Sequence, residues 1–454
     1  MSLELEIRDP IHGFIYREPK ERKIVDTPIF QRLRRLKQLA LASLVYPGAV
    51  HSRFEHSLGA FHIAREVSKR LLTSDSDREL VRLAALLHDI GHGPFSHVSE
   101  PILKKFCKIK LDLDNQQIHE IISKRIIEKD PDLVRIMGAD QCRDIACLMS
   151  GKYGYRIMKD IVSGPLDVDK QDYLLRDSYF CGVEYGVYDG NRLIDALHVL
   201  NDVDDEQSLA ISSDGINSVE QFVLAKYYMN VQVYYHKIRL ITDEMISRAI
   251  SLGIEEDKIE WLTRIYSYDG SDEHLNEYLQ WHDEKLILEI LSDRTPNGWA
   301  KRIFKKLRER ELLKCMFSAK EKQFENVAPE IRLAIFTKPR DICKLIEEKI
   351  ANIYGFERNL VIAKVVKFRP ATQTESEIMV LHPSQPIPFH EASTLFGSVD
   401  EAIKEQRIEV YAPASYEDRD KKRQQREFYN RIFEMIIEIA SPQTQLPLSE
   451  QVQQ

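Results

Sequence analysis

From Thr27 to about residue 250 the apolar residues recur at the three- and four-residue spacing of helices. No other feature of this 454-residue chain constrains its fold as much. Thr27 offers an N-cap with Pro28 at the first helical position, and Ile29, Phe30, Leu33, Leu36 and Leu39 continue one stripe, so a helix is predicted through Leu39. A second is expected from about Glu55 to Leu72, burying Leu58, Phe61, Ile63, Val67 and Leu71. A third runs from Ser76 or Asp77 through Leu80, Leu83, Ala84 and Leu87 to Ile90, where Gly91 is placed to stop it. Further helices are predicted over 117–129, 140–149, 155–162, 167–180, 190–200 and 217–251, with a small hairpin at Leu209–Ser212.

Beyond about residue 255 the pattern changes. Segments 273–292, 296–315 and 340–352 stay helical, but 360–366, 378–381 and 408–411 read as strands. A charged helix over 418–439 and a polar, disordered tail over 441–454 complete the expectation. The predicted fold is mostly α: a helical core over 1–255 and a helical and α+β C-terminal lobe over 256–440. A net charge of −8 argues against a protein that coats nucleic acid along its length. There is no run of 18 apolar residues, no signal-peptide pattern at the start, and no CxxC pair among the six cysteines. A cytoplasmic protein with reduced thiols and no membrane span is expected.

The histidines are unevenly spread, with eight of fourteen in the first 119 residues. His56, the doublet His88-Asp89 and Asp169 supply imidazole and carboxylate, the donors that suit divalent first-row metals. His88 and Asp89 end a helix with an apolar face, so packing would hold them rigidly. The loop Gly91-His92-Gly93-Pro94-Phe95-Ser96-His97 returns two more imidazoles, its glycines permitting tight turns. His12, His51, His62 and His198 read as structural or surface groups.

These residues stand in longer motifs: Asp9-Pro10-Ile11-His12-Gly13, Asp26 to Arg34, Lys37-Gln38-Leu39, Arg53 to Gly59, His88 to His97, and Asp167 to Tyr173. Together they resemble the HD-domain metal phosphohydrolases, and among them the deoxynucleoside triphosphate triphosphohydrolases, including the animal enzyme with an added SAM domain. No such domain is expected before Arg8. The resemblance implies a divalent metal (Mg, Mn, Fe, Co, Ni or Zn) on His56, His88, Asp89 and Asp169. It implies active-site histidines at His92, His97 and His119, with Glu100 as an acidic partner. Gln38 and Leu39 match sugar-contacting positions, Arg53 and Lys170 phosphate-gripping ones, and Tyr173, Asp177 and Tyr234 positions lining sugar and base. A later phosphate-gripping arginine has no clear match here, and Lys226 is the nearest basic residue.

The implied reaction is hydrolysis of a dNTP to a deoxynucleoside and inorganic triphosphate. His97 would be the general acid, and Glu100, three residues on, would orient it. Asp26, Gln31, Arg34, His236 and Lys237 match a guanine-nucleotide activator site at a subunit interface, so a GTP or dNTP activator and a homodimer or homotetramer are implied. The ligand set alone also admits another phosphate ester: a nucleoside monophosphate, a cyclic dinucleotide or a guanosine alarmone. A nucleic-acid-binding protein or nuclease is a further alternative, with Arg32–Lys37, Lys301–Arg310 and Lys421–Arg426 lining a groove.

Overall fold

The computed structural model describes residues 5–109, 117–201, 207–337, 339–368, 378–396, 405–413 and 421–441. The predicted polar tail lies outside these residues apart from Ser441. The chain is mostly helical with a smaller α+β part, as expected, and each key helix starts on a readable local signal. The helix Arg53–Leu71 opens on a capping box: Ser52 Oγ accepts from Phe54 N at 3.3 Å and Glu55 Oε2 from Ser52 N at 2.9 Å. The helix Asp75–Leu87 is capped by Ser74, carries Asp75 and Asp77 in its first turn, and buries Leu80 through Leu87. Asp167 caps the helix Val168–Cys181, accepting from Lys170 N at 2.8 Å. The helix Arg53–Leu71 packs against both of the others.

Where the chain departs from its local pattern, a distant partner is responsible. The helix expected through Leu39 stops after Pro28–Gln31 and a tight turn over Arg32–Arg35, leaving Leu36 extended. Leu36 O accepts instead from Arg53 N at 2.9 Å, and Lys37 N donates to Asp283 Oδ2 at 2.8 Å. This break carries Gln38 and Leu39 into the cleft described below. The stretch 217–251 is interrupted by a wide π turn over Asn230–Tyr234, and 273–292 divides into Asp272–Leu279 and Asp283–Leu291. Segment 190–200 is helical only over Gly190–Ala196, and segment 296–315 only over Trp299–Arg308.

The nine strands among the described residues form three small sheets. β1 (Leu5–Asp9) and β2 (Gly13–Arg17) make an N-terminal hairpin. β3 (Leu197–Asn201) and β4 (Gln207–Ser212) are the expected hairpin, lengthened, and β4 runs parallel to β7 (Met379–Leu381), which pairs with β8 (Ile387–Pro388). β9 (Glu405–Ala412) lies between β5 (Lys314–Lys320) and β6 (Ile362–Phe368), antiparallel to both. β5 falls where no strand was anticipated. One apolar cluster starts at Ile15, takes in the helices between residues 260 and 308 and extends to Leu360, Ile378, Val380, Phe389 and Tyr411; a second joins Phe317, Phe324, Ile346, Val410 and Ile436. All six cysteines are free.

Candidate metal centre and phosphate cleft

Four donor groups converge from three helices. His56, fully buried, has Nε2 3.3 Å from His88 Nε2, 3.0 Å from Asp169 Oδ1 and 3.6 Å from Asp89 Oδ2. His88 Nε2 lies 3.4 Å from Asp89 Oδ1 and 3.6 Å from Asp169 Oδ1. Donors about 2.1 Å from a shared ion sit roughly 3.0–3.4 Å from each other in octahedral or tetrahedral geometry, so the spacing fits one divalent metal.

The ring orientations fit as well. His88 Nδ1 is 2.8 Å from the Ala85 carbonyl oxygen, which can only accept, so Nδ1 holds the proton and Nε2 presents a lone pair. His56 Nδ1 donates in the same way to Asp172 Oδ2 at 2.8 Å. Burial disfavours a charged His56, but Asp169 and Asp172 outweigh it and push its pKa up to about 10. Burial likewise opposes ionisation of Asp89, yet Arg53, His88 and His92 hold its carboxyl well below the usual range. The cluster calls for positive charge. His56, His88 and Asp169 form a group that could hold a divalent ion.

Arg53 is buried beside this group. Its Nε donates to Ser96 Oγ at 2.7 Å and its Nη1 to Asp89, while Nη2 has no hydrogen-bond partner among the described residues. Arg53 lines a cleft of about 900 Å³ with His88, Asp89, Asp169, His97 and His119. Gln38, Leu39, Lys170, Tyr173, Asp177 and Tyr234 line the same space. Asp169, Tyr173 and Asp177 recur every four residues along one helix face. Tyr234 Oη donates to Asp177 Oδ2 at 2.7 Å, and His51 Nε2 lies 2.7 Å from Asp177 Oδ1. Lys170 Nζ is held by Asp167 and by the Gly164 carbonyl oxygen.

The loop histidines form a second cluster. His119 stacks on His92 at 3.9 Å, and His97 stands edge-on to both rings. Glu100 does not orient His97 as expected: it accepts from His119 Nδ1 at 2.9 Å and from the Ile118 backbone, because the chain turns at Ser96–Val98 before the next helix begins. The glycines serve packing rather than turning. Gly91 has no positive φ; a Cβ there would come within 2.3 Å of His119 O and Ser123 N. The left-handed positions are Phe95 and Ser96, held by Phe95 N donating to Asp283 Oδ1 at 2.7 Å and by Ser96 Oγ donating to Lys37 O at 2.7 Å. Asp283 accepts from both segments, so Asp283→Ala should release Phe95 and Lys37 together. The expected result is roughly a 10- to 100-fold fall in kcat with metal content retained; unchanged kcat would remove Asp283 from the loop's support.

Several supports carried no recognisable local signal. Asp172 and Arg176 lie on the inner face of the Asp169 helix, and His12 Nε2 reaches Asp172 Oδ1 at 2.7 Å from the N-terminal hairpin turn. His12 and His51 thus orient carboxylates of the site. The three-residue step from Asp169 to Asp172 was the available clue. Lys226 does not line the cleft, whereas Arg239 does. At the expected activator positions, Gln31 Nε2 donates to Val25 O, Arg34 lies over the Phe54 ring, and His236 caps its own helix. No hydrogen bond or ion pair among the described residues joins residues 26–34 to 236–237. In two of the basic runs some of the cations are engaged by the chain itself: Arg32 donates to His92 O and Trp281 O, Lys301 to Ser292 O, and Arg302 pairs with Glu357. Side chains 421–425 lie outside the described residues.

Comparison with known proteins agrees with this architecture. The HD domain family model matches residues 53–176 and the HD associated region matches 188–430. The chain belongs to the HD-domain family, in the branch that carries this associated region. An uncharacterized protein of Methanocaldococcus jannaschii is 38% identical over 265 residues, 56% of this chain and 51% of that one. Deoxynucleoside triphosphate triphosphohydrolase SAMHD1 of Bos taurus is 28% identical over 377 residues, 74% of this chain and 63% of that one. The chain thus spans between half and two thirds of these relatives' own length. The crystal structure of a phosphohydrolase from Bacteroides thetaiotaomicron superposes with a TM-score of 0.71 at 28% identity, covering 90% of this chain and 99% of that one. Among the described residues no helix is long and apolar enough to cross a membrane.

Proposed function

We propose that the chain is a metal-dependent hydrolase that cleaves dNTPs to a deoxynucleoside and inorganic triphosphate. One observation carries this reading: His88, Asp89 and Asp169 line a cleft with a buried arginine whose Nη2 has no hydrogen-bond partner among the described residues, a site suited to concentrated negative charge. The printed activity of the Bos taurus relative supports the choice of dNTPs. A divalent ion on His56, His88, Asp89 and Asp169 supplies Lewis-acid polarisation of a phosphoryl oxygen and acidifies a water.

The chain's own residues do the rest. Arg53, His119 and Lys170 neutralise the triphosphate, and groups fixed in this way need no reorganisation during reaction, while His92, which burial holds neutral, packs behind them against His119. His97 gives a proton to the departing 5′-oxygen. Burial within the cleft walls, then the charges of Arg53 and His119, hold the His97 pKa below the ordinary imidazole range. A bound polyanion acts in the opposite direction and favours the protonated ring. Gln38, Asp177 and Tyr234 offer hydrogen-bonding groups to the sugar, and Leu39 gives a wall that disfavours a 2′-hydroxyl.

Product identification tests the reaction. Metal-loaded protein incubated with dGTP and the other dNTPs should release inorganic triphosphate and nucleoside; pyrophosphate or orthophosphate alone would sink the proposal. Activation by GTP or a dNTP through Asp26, Gln31, Arg34, His236 and Lys237, with assembly to a homodimer or homotetramer, belongs to the same reading. It should appear as a nucleotide-dependent change in both molecular mass and rate, and constancy of both would exclude it.

A further inference from the structure

Beside Gln38 the cleft adjoins a side chamber of about 330 Å³. Gln38, His97, Pro101 and Arg239 belong to the walls of both spaces and so lie where the two meet. Asp243, Glu244 and Lys364 line the chamber; none of the four metal-site residues does, nor does Lys170. It therefore leads away from the phosphate-binding end of the cleft.

Three buried polar atoms in the chamber wall have no hydrogen-bond partner among the described residues: Gln38 Oε1, Arg239 Nε and Asp243 Oδ1. A buried polar atom left unmet is unfavourable, so three together mark a wall suited to a polar ligand. Arg239 and Asp243 stand one turn apart on the helix Lys237–Glu255, with Nε 3.7 Å from Oδ2, beyond hydrogen-bond reach. Arg239 also lies over the Tyr234 ring at 5.2 Å, and Tyr234 in turn holds Asp177. Lys364 is paired with Glu244, which leaves Arg239 and Asp243 as the open donor and acceptor. Burial raises the Asp243 carboxyl to about 6, as expected of an acid whose charge is incompletely met.

We propose that this chamber receives the nucleobase and selects guanine, with Arg239 donating to O6 and Asp243 accepting from N1–H and the N2 amino group. The proposal rests on the dNTP reading of the adjoining cleft. Guanine sets one acceptor beside two donors on the same edge, and a carboxylate accepts both donors. Adenine and cytosine offer that carboxylate only an amino group, and thymine only N3–H.

The test uses the full chain and its Asp243→Asn and Arg239→Lys variants, with two readouts. The wild type should prefer dGTP to dTTP in kcat/KM, and that ratio should fall about tenfold or more in Asp243→Asn, the scale of one good bidentate contact. Deoxyguanosine should bind the wild type more tightly than thymidine, and this difference should vanish in both variants. A ratio that stays constant while every dNTP is lost alike would give Arg239 to the phosphates or sugar and overturn the proposal. So would deoxyguanosine binding no tighter than thymidine. Nucleoside binding requires no hydrolysis, so a wild type inactive on all dNTPs would end the functional reading while the chamber is still decided on binding.

Discussion

His88→Ala should leave a folded protein that neither retains a stoichiometric divalent ion nor turns over substrate. The ring sits at the end of its helix and its Nδ1 partner, the Ala85 carbonyl oxygen, belongs to the last turn of that helix. Removing it opens little of the apolar core, so the fold should survive. What is lost is one of the three donors His56, His88 and Asp169, spaced 3.0 to 3.6 Å apart, together with the rigid placement that makes the set a site. A metal contributes several kcal/mol of charge stabilisation to a phosphoryl transition state. At about 1.4 kcal/mol per factor of ten, kcat should fall by roughly three orders of magnitude or more. Metal-to-protein ratio by mass spectrometry and triphosphate release are the two readouts. His198→Ala, on β3 and bonded to the Ala196 carbonyl oxygen, should keep both at wild-type values. Full metal content and full activity in His88→Ala would remove the metal centre itself.

The parts of this site that were legible in the sequence are those fixed by short-range physics. Ser52 and Glu55 announce the start of the helix that bears His56. The apolar run Leu80–Leu87 delivers His88 and Asp89 to the edge of a core. A four-residue step puts Asp169, Tyr173 and Asp177 on one face. The illegible parts are fixed by partners far along the chain. Nothing local to Leu36 says that the helix must end there; Asp283, 246 residues beyond Lys37, supplies the competing acceptor. Glu100 belongs to His119 because of how the turn at Ser96–Val98 aims the following helix, a matter of dihedral angles rather than spacing. The strand Lys314–Lys320 follows a basic helical pattern and becomes a strand because β9 pairs with it, so tertiary pairing overrides local preference. Even the unassigned histidines divide on this ground: His12 supports the metal site only because the N-terminal hairpin folds back 160 residues to reach Asp172.

Asp172 should accordingly be the most damaging position that touches no metal. Its carboxylate accepts from His56 Nδ1, from His12 Nε2, and from Arg176 Nε and Nη2 at 2.8 and 2.9 Å. Arg176 is itself fully buried and reaches Asp9 at 2.8 Å, so one carboxylate ties the hairpin, the His56 helix and the Asp169 helix together. The His56 helix is built around the pair: a Cβ at Gly59 would collide with Asp172 Oδ1 and Arg176 Nη2, so only glycine admits them. Removing the carboxylate leaves a buried guanidinium short of its partner, which costs about 3–5 kcal/mol. That is a large share of the roughly 5–15 kcal/mol by which domains are stable. Asp172→Ala should therefore lower the denaturant midpoint sharply. Asp172→Asn keeps the shape, yet whichever way the amide turns its N–H groups would face a donor of Arg176 together with either His12 or His56, so it should lose stability too, though less. In Asp172→Asn the His56 tautomer is no longer fixed, and metal affinity should weaken about 10- to 100-fold, the usual scale for a partner behind a ligand. Denaturant unfolding of the metal-free protein and metal titration of the folded protein separate the two effects. A variant that matched the wild type in both would show that His56 is oriented by something other than this carboxylate.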